Sequence, residues 1–181
     1  MITYISILRG INVSGKNIIK MDSLRQLYID MGFKNVQTYI QSGNVIFQTI
    51  KSDTSALQEK ITKKISDTFN LNVPVVVLEL FEFQEIVNNN PFISRENIDI
   101  TRLYITFLAS LPNKENIENT IKLNYSPEEF IILNKAVYLY CPMGYGTTKL
   151  SNNFFENKLK VKATTRNLKT CNELIKIAQQ F

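Results

Sequence analysis

Histidine is absent from this 181-residue chain, and cysteine, glycine and proline are scarce, at two, six and five residues. Without histidine there is no imidazole for a serine or cysteine catalytic triad, for metal binding, or for a proton switch near neutral pH. Cys141 and Cys171 are too few for a zinc site or a disulfide framework, so we expect no metal and no cofactor. Hydrophobic residues make up 44% of the chain and charged residues 20%, which is typical of a globular protein.

Long apolar runs are also missing. The most apolar later stretch, residues 73–81, is interrupted by Pro74 and Glu79, and it is far shorter than the roughly 20 residues of a membrane helix. The first residues, MITYISILRG, have no basic region before their apolar run and no cleavage signal of small residues, so they indicate a first strand rather than a signal peptide. We therefore expect a cytoplasmic protein with reduced thiols and no membrane association.

Positive charge is concentrated at the end of the chain. Residues 1–148 contain 14 basic and 14 acidic side chains, whereas residues 149–181 contain 7 basic and 2 acidic ones. The formal net charge of +5 therefore comes entirely from the last 33 residues. Such a local excess indicates either a solvated basic surface that serves solubility or an anionic partner such as a phosphate, a nucleotide or a nucleic acid.

The first half of the chain predicts the order βαββαβ, which is the ferredoxin-like arrangement. Its first helix has apolar residues at i, i+3, i+4 and i+7 and stops at Gly32, with Asp22 as the expected N-cap. Ser55 and Gln58 are expected to form a capping box for the second helix. The predicted strands cover residues 2–8, 36–40, 45–49 and 73–80.

The second half predicts the order βαββαα, which repeats the opening of the first half without its last strand. Its strands are expected at residues 103–108, 130–133 and 136–140, and its last two helices at 149–158 and 167–179. The fold class is therefore predicted to be α+β, with a ferredoxin-like N-terminal half and a smaller second subdomain. We expect these subdomains to cover residues 1–90 and 91–181 and to pack together as one compact unit.

One polar loop, residues 9–17, is similar to a phosphate-binding P-loop, since four residues separate Gly10 from Gly15-Lys16 and a strand precedes it. A P-loop surrounds phosphate with backbone N–H groups and needs a serine or threonine to bind magnesium. Asn17 occupies that last position, and the next helix begins too late for its N-terminus to face a phosphate. The loop is therefore either a structural turn or a site that binds an anion without metal, and a nucleoside triphosphatase is less favoured.

A second polar segment, Gln41-Ser42-Gly43-Asn44, joins the second and third predicted strands. Gly43 and Asn44 are typical of a hairpin turn, but the turn does not explain Gln41 and Ser42. In the βαββαβ topology the first strand runs antiparallel to the third, so the end of the first meets the start of the third. We therefore expect the loops at residues 9–16 and 41–44 to lie at the same rim of the sheet.

Two further segments, residues 142–149 and 163–167, are each expected to precede a helix, with a threonine as the N-cap. They place Lys149 and Arg166 in the first helical turn, where the helix dipole disfavours a cation. A cation is tolerated there if an anion binds at the helix N-terminus or if a carboxylate pairs with it, and both alternatives stay open.

Five stretches of the sequence carry a family resemblance. They are Leu8-Arg9-Gly10-Ile11-Asn12-Val13, Gly15-Lys16-Asn17, Thr38-Tyr39-Ile40-Gln41-Ser42-Gly43-Asn44-Val45, Lys149-Leu150 and Ala163-Thr164-Thr165-Arg166-Asn167. Together they resemble the bacterial domain-of-unknown-function family 1697 over essentially the whole chain. Ser14 stands where that family usually has glycine, and Leu168 where tryptophan is common. The resemblance implies a cytoplasmic α+β protein with a ferredoxin-like N-terminal half, and it brings neither an established activity nor catalytic residues.

The favoured function is binding of a small anionic or phosphorylated ligand at the shared rim. Binding ranks above catalysis because no nucleophile–base pair is evident in the sequence. Arg9, Lys16, Lys149 and Arg166 are expected to supply the charge. The other candidate ligand-binding residues are Asn12, Gly15, Gln41, Ser42, Asn44, Tyr145 and Asn167.

Two other functions stay open. A ferredoxin-like sheet can stack the bases of single-stranded nucleic acid on aromatic residues of its central strands, where Tyr4 and Phe47 lie. Residues 44–50, however, lack the basic and glycine-rich signature of such a strand. The other possibility is an interaction or scaffold protein, for example a homodimer, in which the loops serve structure only.

Overall fold

The computed structural model describes all 181 residues. The chain divides into two units: residues 1–84 together with 173–181 form the first, and residues 85–172 form the second. Each unit contains one four-stranded antiparallel sheet, so the predicted α+β class is confirmed. None of the helices has both the length and the apolar character needed to cross a lipid bilayer.

The first unit has the predicted order βαββαβ. Its strands pair in the spatial order β2-β3-β1-β4, which is the antiparallel order of a ferredoxin-like sheet. The central strand β1 pairs with β3 on one side and with β4 on the other. The elements are β1 (Ile2–Leu8), α1 (Met21–Asp30), β2 (Lys34–Tyr39), β3 (Asn44–Thr49), α2 (Thr54–Phe69) and β4 (Val75–Glu79).

Both predicted helix caps of the first unit are wrong. Lys20 precedes α1 without a side-chain cap, and Asp22 lies inside the first turn. The N-cap of α2 is Asp53, whose side chain accepts a hydrogen bond from the N–H of Ala56 at 2.9 Å. Gln58 accepts a hydrogen bond from the N–H of Val77 in β4 and lies beyond the capping position, because the N-cap is two residues earlier than predicted.

The core of the first unit lies between the two helices and one face of the sheet. α2 contributes Leu57, Ile61 and Ile65, which recur every four residues and are almost completely buried. Each such side chain stabilises the fold by about 1.5–3 kcal/mol through the removal of apolar surface from water. Four aromatic rings pack together in this core, those of Tyr4, Tyr28, Phe33 and Phe47.

One polar pair is buried within this aromatic core. The hydroxyl groups of Ser6 and Tyr28 are 2.6 Å apart and form a hydrogen bond, and both side chains have no exposed surface. Burial raises the pKa of the Tyr28 phenol well above its ordinary value of 10.0, although the hydrogen bond to Ser6 acts in the opposite direction.

The second unit has the same sheet order as the first, β6-β7-β5-β8. Its core is formed by apolar residues of the sheet and by Leu150, Phe155 and Leu159, which belong to α5 and the segment before it. The elements after β4 are α3 (Leu80–Asn88), β5 (Leu103–Leu108), α4 (Lys114–Ile121), β6 (Glu129–Leu133), β7 (Ala136–Tyr140), α5 (Asn152–Leu159), β8 (Ala163–Asn167) and α6 (Leu168–Ala178).

The predicted order βαββαα is wrong, because Ala163–Asn167 is a strand rather than the loop before a helix. β8 pairs with the central strand β5 over its whole length. Its polar composition of two threonines, an arginine and an asparagine resembles a loop, and only pairing with a distant strand makes it extended. The second unit is therefore also βαββαβ, and the chain continues after its last strand into α6, whose residues from Glu173 onwards belong to the first unit.

We expect the Tyr28→Phe variant to be destabilised by about 2 kcal/mol, because it leaves the buried Ser6 hydroxyl without its partner. The double variant Ser6→Ala/Tyr28→Phe removes both polar groups and is expected to regain most of that loss. Urea denaturation at pH 7 measures both effects, and equal stability of the two variants would contradict the coupling.

The same double variant is expected to be less sensitive to alkaline pH. Above pH 10 the unfolded chain ionises Tyr28, whereas the folded chain keeps it neutral, so the stability of the wild-type protein falls as the pH rises. At pH 11 the wild type is expected to have lost about 1 kcal/mol more than the double variant, relative to pH 8. Urea denaturation at the two pH values measures this difference, which must exceed zero if Tyr28 is buried as described.

Candidate functional site

The loop after β1 is a small hairpin and not a phosphate-binding P-loop. Ser14 and Gly15 both have positive φ, at 50° and 74°, and the N–H of Lys16 donates to the carbonyl of Val13 at 2.9 Å. This is the geometry of a two-residue type I′ turn. The turn uses the Lys16 N–H that a P-loop offers to a phosphate, and α1 begins only at Met21.

Two asparagine side chains hold this loop together. The Asn12 amide donates to the carbonyls of Ile19 and Gln41, both at 2.9 Å, and its oxygen accepts from the N–H of Ile19 at 2.8 Å. Asn17 donates to the carbonyl of Gly10 at 3.0 Å. Asn12 therefore joins the loop at residues 9–17 to the loop at residues 41–44, and its polar atoms serve the backbone.

The two loops meet as predicted from the strand order. Ile7 of β1 lies opposite Asn44 of β3, and the N–H of Leu8 donates to the carbonyl of Gly43 at 2.8 Å. Asn44 is completely buried, and its amide donates to the Tyr39 carbonyl and to the Ser42 hydroxyl, both at 3.0 Å. This shared rim is therefore built from backbone and amide contacts within the first unit.

The predicted ligand-binding residues of the rim differ in exposure. Gly15, Lys16 and Gln41 are exposed, whereas Ser42 is partly buried. Arg9 is also partly buried, and its backbone N–H donates to the carbonyl of Pro74 at 2.9 Å. Lys16 thus presents its charge to solvent next to the turn at Ser14 and Gly15.

Neither Lys149 nor Arg166 lies in a first helical turn, so that expectation is wrong. Lys149 precedes Ser151, whose hydroxyl accepts from the N–H of Phe154 as the N-cap of α5. Arg166 belongs to strand β8. The N–H of Thr170 in α6 donates to the side chain of Asn167 at 2.7 Å, so an asparagine takes the capping role expected of a threonine.

A cluster of hydroxyl groups surrounds Thr165 in the second unit. Its hydroxyl lies 2.7 Å from that of Thr106 on the neighbouring strand β5 and donates to the side-chain oxygen of Asn152 at 2.7 Å. The Tyr145 phenol donates to the same hydroxyl at 3.1 Å, and its ring packs against that of Tyr104 with centroids 5.2 Å apart. Thr165 is therefore the centre of a connected polar network.

Arg166 lies next to this network. Its guanidinium donates to the Thr165 carbonyl at 2.8 Å and contacts the Thr164 hydroxyl at 3.4 Å. Burial lowers the pKa of the Arg166 guanidinium to about 10, while the Cys171 thiol and the Tyr145 phenol act to raise it. The residue is partly buried and its side chain is still protonated at pH 7, so a positive charge is kept where its access to water is reduced.

Both cysteines are poor nucleophiles in this structure. Burial raises the pKa of Cys141 to about 11 and that of Cys171 to about 12, although Arg166 acts to lower the latter. Both side chains are completely buried. Since only the thiolate attacks an electrophile, neither residue is placed for covalent catalysis.

Lys149 lies at a separate cleft of the second unit with a volume of about 530 Å³. Its lining includes Tyr125, Glu128 and the largely exposed Met143. The cleft therefore carries both signs of charge, which does not favour an anion over other ligands.

The aromatic residues proposed for stacking nucleic-acid bases are not accessible. Tyr4 and Phe47 are completely buried in the aromatic core of the first unit. The opposite face of the same strands is closed as well, since Ile5, Ile7 and Ile46 have no exposed surface. The sheet of the first unit therefore offers no open face on which bases could stack.

Sequence reasoning missed the hydroxyl cluster. Thr106 and Asn152 carry no motif, and Thr165 was expected to precede a helix rather than to pair with β5. The only sequence signal was the position of Thr106 inside an apolar strand, where an isolated polar residue needs a hydrogen-bond partner.

Comparison with known proteins supports the predicted family. A family model described as a protein of unknown function, DUF1697, matches residues 1–138. The solved structure of the conserved bacterial protein SP0830 from Streptococcus pneumoniae is similar, with a TM-score of 0.76 and 25% sequence identity, over 98% of this chain and 98% of that chain. No curated protein matches the sequence.

The close packing around Gly43 at the rim predicts a loss of stability on substitution, and Gly15 serves as the control. A Cβ atom at Gly43 would lie 2.7 Å from Ile11 and 2.8 Å from Leu8, whereas one at Gly15 would meet nothing within 4 Å. Both glycines have similar positive φ, so both alanine variants carry backbone strain of about 1 kcal/mol. We expect Gly43→Ala to cost about 2 kcal/mol more than Gly15→Ala in urea denaturation. Equal losses would show that the two loops are not in contact.

The thiols generate a second prediction. At pH 8 we expect iodoacetamide to leave Cys141 and Cys171 unmodified in the folded protein and to alkylate both in 8 M urea, where their burial is lost. Mass spectrometry of the intact protein counts the modified thiols. Rapid alkylation of the folded protein would contradict the burial described here.

Proposed function

Because this chain belongs to DUF1697, a family of proteins of unknown function, its fold brings no assigned activity, and we propose that it binds a small anionic ligand where β8 meets α6. The observation that carries this proposal is the setting of Arg166. Burial lowers the pKa of its guanidinium to about 10 without removing its charge at pH 7. A poorly solvated cation is stabilised by a negatively charged partner.

Two neighbouring groups act on the charge of Arg166. The Cys171 thiol and the Tyr145 phenol both raise the pKa of the guanidinium, although burial lowers it by more. The guanidinium is planar and carries several N–H groups, which suits the oxygens of a phosphate or a carboxylate.

The surroundings of Arg166 supply further groups for an anion. α6 begins at Leu168, two residues after Arg166, and the N-terminus of a helix favours negative charge. Asn167 fixes the start of that helix through its hydrogen bond with the N–H of Thr170. The Thr164 hydroxyl lies 3.4 Å from the guanidinium, and Tyr145 is near enough to act on its pKa.

The other predicted cations support the proposal less. Lys16 and Lys149 are exposed, so water already solvates their charge. Binding is proposed rather than catalysis because the nucleophilic side chains next to Arg166 are already engaged: Cys171 is buried, and the Tyr145 hydroxyl donates to Thr165. The sheet of the first unit has no open face, which does not favour the alternative of nucleic-acid binding.

Thermal unfolding at low salt with inorganic phosphate, nucleotides, sugar phosphates and dicarboxylates tests the proposal. A ligand present at 100 times its Kd should stabilise the protein by about 2.7 kcal/mol, which is visible as a raised melting temperature. The Arg166→Gln variant is expected to lose this shift. The Arg166→Lys variant keeps the charge without the planar geometry and is expected to show a reduced shift.

The matched control is Arg102→Gln. Arg102 is an exposed arginine of the same unit that pairs with Asp99 at 3.7 Å, so its removal makes the same change in net charge. This variant should bind like the wild type, and circular dichroism must show that all three variants are folded. The proposal is wrong if no anion shifts the melting temperature of the wild type, or if Arg166→Gln responds as Arg102→Gln does.

A further inference from the structure

The edge strands of the two sheets differ in how readily they could pair with another chain. The two sheets have four edge strands, which are β2 and β4 in the first unit and β6 and β8 in the second. The outer N–H and C=O groups of an edge strand can pair with another chain, and proteins usually prevent this by bulges, charges or covering groups. The four edges can therefore be compared within one molecule.

Side chains bond to the backbone of three of these edge strands. Arg25 donates to the carbonyl of Val36 in β2 at 2.9 Å. Gln58 accepts from the N–H of Val77 in β4 at 3.0 Å. Glu156 accepts from the N–H of Ala163 in β8 at 3.0 Å.

β2 has two further features that prevent it from pairing with another chain. Its pairing with β3 is interrupted by a register shift between Lys34 and Gln37, and Asn35 within it has a positive φ of 48°. Three of its six residues, Lys34, Asn35 and Gln37, are polar and exposed. Such a strand cannot easily accept a new neighbour, because the bulge bends it and Lys34 would have to lose its hydration.

β6 has neither a bulge nor a side chain bonded to its outer backbone, and its single charged residue, Glu129, lies at its first position. Its register with β7 is continuous from Glu129 to Leu133, and none of its outer backbone groups has a hydrogen-bond partner. Four of its five residues are apolar, and Ile131 and Leu133 are 36% and 45% exposed. The segment is thus a straight, apolar and unpaired edge, which is the type of strand that adds a neighbour.

We propose that β6 pairs with β6 of a second copy of this chain, antiparallel and centred on Ile131. The four-stranded sheet that contains β6 in each copy then becomes half of one sheet of eight strands. In this register Ile131 faces its own equivalent and Phe130 faces Ile132. Aromatic and β-branched side chains are favourable partners across antiparallel strands. The strand is therefore complementary to itself on both faces.

The charges of β6 are compatible with this pairing. Glu129 would face Leu133 of the second copy, so the two carboxylates are not opposed. Within its own chain both carboxylate oxygens of Glu129 already accept from Nη1 of Arg95, at 3.0 Å. An antiparallel pair of identical strands is also closed by two-fold symmetry, so the pairing ends at a dimer.

Sedimentation velocity of the full chain over a concentration series tests the proposal. We expect a dimer that dissociates on dilution, with self-association at least tenfold weaker in the Ile131→Lys variant, because two lysines would then lie directly opposite each other. Gln37→Lys places the same charge on the corresponding edge of the first unit and should leave the dimer unchanged. Circular dichroism shows whether both variants are folded.

A cross-linking variant tests the register. In an antiparallel pair facing Cα atoms lie about 4.5–5.5 Å apart, within the range that a disulfide spans. Ile131→Cys is therefore expected to form a dimer-linking disulfide under mild oxidation, while the buried Cys141 and Cys171 remain free. The proposal is overturned if the protein is monomeric at all concentrations, if Ile131→Lys dimerises as well as the wild type, or if residue 131 does not cross-link in a dimer. Monomers that bind an unrelated extended peptide would also overturn it.

Discussion

Antiparallel pairing around one central strand governs the placement of almost every polar group described here. β1 pairs with β3 and β4 in the first unit, as β5 does with β7 and β8 in the second. Because β1 and β3 run in opposite directions, the loops that follow one and precede the other must meet. In the second unit the same rule lays β8 along β5, so that Thr165 bonds to Thr106 and Arg166 is held on an edge strand.

Many of the polar residues that attract attention in the loops maintain the backbone instead of facing a ligand. Asn12, Asn17 and Asn44 all direct their amides to main-chain carbonyls, and the first two have positive φ. Asparagine is suited to this role, since it tolerates the left-handed region and bonds locally. Charge in a poorly solvated place is the more informative sign of a ligand, and Arg166 has that property.

The hydrogen bonding of the outer backbone groups on the edge strands also bears on whether the protein self-associates. The two units share one topology and the same strand order, but they treat their edges differently. Arg25, Gln58 and Glu156 reach the backbone of β2, β4 and β8, whereas β6 is left with its outer groups unpaired. Since an unpaired apolar edge is a liability in a monomer, its retention at one position of four is best explained by a partner strand.

The sequence by itself determined the elements with a clear apolar pattern. The stripe Leu57, Ile61 and Ile65 of α2 follows from its period, because one buried face imposes it, and the strands β1, β3 and β5 follow from short apolar runs that are buried on both faces. The meeting of the two loops of the first unit followed from strand order alone, as did the family from motifs spread along the chain.

Only the tertiary structure decided the parts that depend on distant neighbours. β8 has no hydrophobic period, and it becomes a strand because β5, 59 residues earlier, offers it hydrogen bonds. The partial burial of Arg166, the true caps Asp53 and Asn167, and the open edge of β6 are likewise set by what packs nearby. Solvation and hydrogen-bond pairing are properties of a three-dimensional neighbourhood, and local sequence does not encode them.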